Sequence, residues 1–208
     1  MLFFLPLVLG FSIAFLAVIL PGLINMTAAK ISLQEGKNEA LNFALGAAVI
    51  IFFQTFIAVL FARFINDHQE IVSTLQEIGI FVFSLLSIYF FWIAKKPKKI
   101  KAHSKVKGRS NRFLLGMLLS TLNLLPVPFY VFASMSLEAS GYFSFDKIPI
   151  SSFVIGVVSG SFIVFYIYIV AFKKIEKKTE FLMRNINTII GSVTTFMAVV
   201  TLFKLLYK

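Results

Sequence analysis

The sequence predicts an all-α integral membrane protein of six transmembrane helices, arranged as two inverted three-helix repeats with helices 1 and 4 broken. Three observations carry that expectation. The 208 residues are 59% hydrophobic and include 26 phenylalanines, and the mean hydropathy is +0.91. That is more apolar surface than a soluble domain of this length can bury. The apolar residues fall into six runs of membrane length, and a basic block divides the runs three and three.

At roughly 20 apolar residues per crossing, the runs are 2–24, 41–62, 78–94, 113–135, 151–172 and 186–206. The first opens at Leu2 without a basic n-region, so it reads as a span rather than a cleaved signal peptide. It is interrupted by I-L-P-G-L-I-N-M-T at 19–27. Proline inside a helix costs about 3 kcal/mol and glycine about 1 kcal/mol, so this is a predicted break. The second run carries A-L-G at 44–46, then Gln54 and Thr55; the third begins at Gly79 and holds Ser84 and Ser87 on one face. The fourth repeats the break as T-L-N-L-L-P-V-P-F-Y at 121–130. The fifth carries V-I-G at 154–156 with Ser159, Ser161, Tyr166 and Tyr168; the sixth carries Gly191, Thr194, Thr195 and Thr201. Most of these hydroxyls read as hydrogen bonders between helices.

Sorting the cations orients the spans. With the amino terminus outside, the inside loops hold Lys30 and Lys37, nine cations between Lys95 and Arg112, and five between Lys173 and Arg184. That leaves four outside: Arg63, Lys147, Lys204 and Lys208. The positive-inside rule then places both termini on the non-cytoplasmic side. The basic block at 95–112 reads as a cytoplasmic anchor on anionic lipid, not as a nucleic-acid patch.

One polytopic domain, 1–208, is expected, with repeat one at 1–94, the basic loop at 95–112 and repeat two at 113–208. Three spans per half make any internal similarity inverted. Landmarks recur in order: Gly10, Pro21, Gly46 and Gly79 against Gly116, Pro126, Gly156 and Gly191. Pro21 and Gly46 lie 25 positions apart, and Pro126 and Gly156 lie 30 apart. Gly/Pro-interrupted helices in corresponding positions of inverted repeats point to a secondary transporter binding its solute near the midplane.

The breaks supply the candidate substrate-binding residues: Pro21, Gly22, Asn25, Thr27, Gln54, Asn123, Pro126 and Pro128. Pro21 suits the first turn of a second half-helix, whose free amides from Gly22 onward carry partial positive charge and favour a carboxylate. Asn25 and Thr27 are the nearest side-chain hydrogen bonders. Asn123 is placed to cap a half-helix starting near Pro126. Pro126 and Pro128 lack amide protons, so this terminus offers fewer donors. Gln54 is an amide in mid-span, costly to leave unpaired. A kink that only improves packing is the competing reading of both breaks.

Cysteine is absent, and His68 and His103 lie in polar stretches, so neither a metal site nor a cofactor is expected. No cluster of acids, histidines or a nucleophile beside a base lies in the spans, which argues against an enzyme. No Asp, Glu or His falls inside a span either. Lys30, about 13 Å past Pro21 along a helix, reads as snorkelling to the cytoplasmic surface. Glu35 and Glu39 are the available intracellular proton acceptors, and a passive route stays open. An accessory membrane subunit that transports nothing is the alternative reading, and a homo-oligomer is open.

The arrangement resembles the LysE/RhtB superfamily of bacterial amino-acid exporters. The residues that carry the resemblance are P-G-L-I-N at 21–25, Q-E-G-K at 34–37, A-L-G at 44–46 and N-L-L-P at 123–126, spread along essentially the whole chain. Leu23 stands where that family's first motif has a second proline, and two leucines separate Asn123 from Pro126. The resemblance implies an exporter of amino acids or similar small metabolites in the bacterial inner (plasma) membrane, driven by proton antiport.

Overall fold

The computed structural model describes residues 3–68, 111–206 and seven positions between 81 and 92. Every regular element among the described residues is helical. Helices α1 (Phe4–Val18) and α2 (Leu23–Glu35) form one bent pair, with 75° between them. Helices α4 (Arg112–Leu122) and α5 (Pro126–Ala139) form a second, with 65°. Between the pairs in sequence runs α3 (Lys37–Asp67), and α6 covers Lys147–Leu206. Helix α3 and the Lys147–Phe172 part of α6 are long and apolar enough to cross a bilayer, and each bent pair adds one crossing if it counts as a single span. The chain is thus a multi-pass membrane protein.

Neither half of a bent pair spans a membrane alone. The 15 residues of α1 reach about 22 Å and the 11 of α4 about 16 Å, against about 30 Å of hydrocarbon. Where a bent pair counts as one span, its break falls at membrane depth, and lone backbone groups there must find partners in protein or in a water-lined cavity. Pro21 and Pro126 explain their positions. Helix α2 passes into α3 through Gly36, whose φ of 101° lies in the left-handed region that glycine adopts without a steric cost.

Two sequence expectations change. A loop was expected at 173–185 between the fifth and sixth runs, yet the backbone is helical throughout Lys147–Leu206. The segment K-K-I-E-K-K-T-E-F-L-M-R-N holds neither proline nor glycine, so its charges mark a polar stretch of helix rather than a stop. Arg112 was counted with the basic loop; it is instead the first residue of α4 and is buried. The rest of that loop (95–110), Gly79 and most of the third run lie outside the described residues.

By its internal contacts the chain groups into two units, each described by itself. One joins Met1–Arg63 with Lys101–Glu176, and the other joins Phe64–Ile100 with Lys177–Lys208. The first unit combines the first two apolar runs with the fourth and fifth. Its core holds Ile31, Phe43, Val59, Phe153, Val157 and Phe165, all fully buried. Side chains such as Phe53, Ile57 and Phe61 point outward from α3, as expected of a surface solvated by lipid. In the second unit the Thr195 hydroxyl donates to Ser87 Oγ at 3.1 Å, the interhelical role expected of these residues.

Glycines set two close crossings in the first unit. A Cβ on Gly10 would meet the Phe153 carbonyl of α6, and one on Gly156 would meet the Leu7 carbonyl of α1. Gly160 follows one turn later against Phe11 of α1. The crossing of α3 and α4 is built alike, with Gly46 against the Phe113 carbonyl and Gly116 against that of Phe43. Over a longer stretch the contacts advance together along both helices, so each pair is parallel. One crossing runs from Gly156 on Leu7 through Gly160 on Phe11 to Tyr168 on Ile19, and the other from Gly46 on Phe113 to Gln54 on Ser120. Small residues let such backbones approach within van der Waals contact.

Candidate functional site

The first break interrupts hydrogen bonding between Val18 and Leu23, leaving the last carbonyls of α1 without helical donors. Three of them are captured by side chains. Asn25 Nδ2 donates to the carbonyls of Val18 (2.5 Å) and Leu20 (2.9 Å), reaching back from α2 across the bend. The Tyr168 hydroxyl of α6 donates to the Ile19 carbonyl at 2.9 Å. Asn25 is 3% exposed, so it closes the break from within. Thr27 is half-buried and donates to the Leu23 carbonyl one turn back.

Pro21 is buried in this break, whereas Gly22 is exposed and a Cβ there would meet nothing within 4 Å. Gly22 has φ −127° and ψ 177°, extended backbone open to any residue. The glycine is therefore not required by conformation or by crowding. As the N-cap it offers no side chain to the first amides of α2, at the positive end of the helix dipole.

The second break is closed from outside the pair. Gln54 Nε2 of α3 donates to the carbonyls of Ser120 (3.0 Å) and Asn123 (2.9 Å). Both amide protons are thereby used, and the two carbonyl acceptors identify this nitrogen. Asn123 does not cap α5 as expected. Its N–H donates to Ser120 at 3.1 Å and ends α4, while Leu125 occupies the position before α5 without a side-chain cap. The reason is distance along the chain: with α5 starting at Pro126, Asn123 falls outside the capping position. Pro126 opens α5 half-buried and Pro128 is exposed. The eight predicted residues thus gather as two groups, one at each break.

Sequence reasoning singled out Gln54 through the cost of a mid-span amide. It missed Tyr168 as a partner of the first break, because nothing in the chain fixes the register of α1 on α6. Gly160 to Tyr168 is eight residues, about two helical turns along one face; that spacing was the available signal. It also missed an ion pair between the bent pairs. Arg112 Nε and Nη2, at the start of α4, donate to Glu35 Oε2 (2.6 Å) and Oε1 (2.7 Å), at the end of α2. Arg112 is 5% exposed. Arg112 is buried and Glu35 is partly open to solvent, and the forked geometry fixes how the two side chains meet. Glu35, expected as an open proton acceptor, is thus engaged. Nearby in sequence, Lys37 Nζ donates to the Tyr166 hydroxyl at 3.1 Å.

Among the described residues no group of three His, Cys, Asp or Glu is placed to hold a metal ion. No curated protein and no solved structure matches the chain. The family model for the LysE type translocator matches residues 15–205, a stretch that includes both breaks and the α3–α4 crossing, and on that match the chain belongs to the LysE type translocator family.

Proposed function

We propose that the protein is a secondary transporter that exports amino acids or similar small metabolites across the inner (plasma) membrane by alternating access. Family membership supports the transport class. The observation that carries the rest is the pairing of the breaks: two helices interrupted at membrane depth, each held by a polar side chain from the other half of the sequence. Tyr168 serves the first break and Gln54 the second. Broken helices at that depth are the usual solute sites of secondary transporters.

The same pattern supports the inverted repeat. Exchanging the first run with the fourth and the second with the fifth turns the α1–α6 crossing into the α4–α3 crossing. Both are glycine-lined and parallel. The cations at Lys30, Lys37 and 95–109 favour a cytoplasmic side for the segment between the halves, and so an amino terminus outside it. On this topology the Glu35–Arg112 pair ties α2 to α4 at the cytoplasmic end and must open when the solute enters from inside.

The amides after Gly22, which no N-cap side chain occupies, receive the solute carboxylate. In proteoliposomes the purified chain moves labelled amino acids down an imposed gradient, and a pH gradient of the export sign accelerates that flux if transport is proton-coupled. Empty-liposome rates for every amino acid tested, together with co-purification in a larger complex, would favour the accessory-subunit reading.

A further inference from the structure

At the second break three buried oxygens have no hydrogen-bond partner in the protein: Gln54 Oε1, Thr55 Oγ1 and Ser120 Oγ. Their residues are 8%, 0% and 1% exposed. Gln54 and Ser120 are joined by the bond from Nε2 to the Ser120 carbonyl. Thr55 follows Gln54 directly in α3 and is fully buried. An orphaned oxygen at membrane depth is costly unless something donates to it. Gln54 Oε1 is purely an acceptor, since both amide protons are spent on carbonyls.

Gln54 Oε1 sets the sign of the missing partner, because it can only accept. Ser120 lies in the last turn of α4, at the negative end of its dipole. Two proline nitrogens at the start of α5 remove the donors an anion would need. No Asp or Glu lies in α4 or between Ala40 and Asn66 of α3, so the set is neutral and unsuited to a divalent ion, which demands carboxylates. We propose that Gln54 Oε1, Thr55 Oγ1 and Ser120 Oγ hold a monovalent cationic group, either the ammonium of the transported solute or a free sodium ion. In its ammonium form this site rests on the amino-acid reading given above; in its sodium form it stands apart from that reading.

The test is ligand-dependent thermal stability of the purified full-length protein, measured for the parent chain, Ser120→Ala and Thr55→Val. The probes are sodium chloride against choline chloride at equal ionic strength, and each amino acid against the carboxylic acid that lacks its amino group. A sodium-specific or amino-specific shift, weakened about tenfold or more in affinity in both variants, supports the site and assigns its source. Amino acids that stabilise parent and variants alike, and no better than their des-amino analogues, overturn the cation site and leave the exporter reading standing. A sodium shift lost in the variants, with no amino acid bound, keeps the site and removes the amino-acid reading. No shift with any probe overturns both. Without ligand both variants melt at or above the parent temperature, because each deletes an oxygen that lacks a protein partner.

Discussion

At the α1–α2 break the chain largely closes its own ends: Asn25 reaches back to two carbonyls, and Tyr168 takes the one between them. At the α4–α5 break the pair supplies no side chain of its own, and Gln54 from α3 bridges two carbonyls. What is left over differs in sign. The first break has no side-chain cap on the amides beside an open Gly22; the second keeps oxygens without protein donors beside prolines. One device, a proline-interrupted helix stitched across halves, thus leaves donors at one end and acceptors at the other, and the proposed zwitterionic solute would use both.

The comparison can be broken at several levels. The largest effect is expected where the two crossings are tightest. Gly116→Ala drives a methyl into the Phe43 carbonyl and lowers stability by about 3 kcal/mol, read as melting temperature in detergent. Gly10→Ala, at the equivalent crossing, falls in the same range. A loss confined to one of them would end the equivalence of the crossings.

Next comes Gln54→Leu, which strands the Asn123 carbonyl, leaves that of Ser120 with the Asn123 N–H alone, and costs about 2 kcal/mol. Tyr168→Phe strands only the Ile19 carbonyl and costs about 1 kcal/mol. Combining Tyr168→Phe with Asn25→Leu, which serves the same break, gives a coupling of about 0.5 kcal/mol or more. The pairing with Gln54→Leu is additive, because those two side chains share no acceptor. Coupling of the reverse kind would show that the breaks are not separately stitched. Smallest of all is Gly22→Ala, with a stability change within about 0.5 kcal/mol. The space there is open and the backbone is extended, so any fall in flux reports on the site rather than on folding.

Much of this was legible in the chain. Pro21 and Pro126 announce the breaks because proline cannot sit inside a helix without losing a bond, and Gln54 stands out as an unshielded amide in an apolar run. The partners were less legible. Tyr168 differs from Tyr166 only by register, which depends on how Gly156 and Gly160 seat on α1. Asn123 was read by its side chain, whereas its backbone N–H and carbonyl do the bonding. Arg112 was hidden at the edge of a basic block, where composition masks a single buried cation. The charged stretch after Phe172 looked like a loop because polarity suggests solvent, yet nothing in it breaks a helix.

The chain contains no cysteine, so a single thiol at Gly22 reports on the first break alone. In proteoliposomes carrying Gly22→Cys, the account predicts reaction with a water-soluble maleimide despite the depth of the break. It also predicts that labelling slows when a transported amino acid is added at concentrations that saturate flux. A thiol that never reacts, or one that reacts at the same rate with and without the solute, would contradict the claim that solute binds at the broken helix.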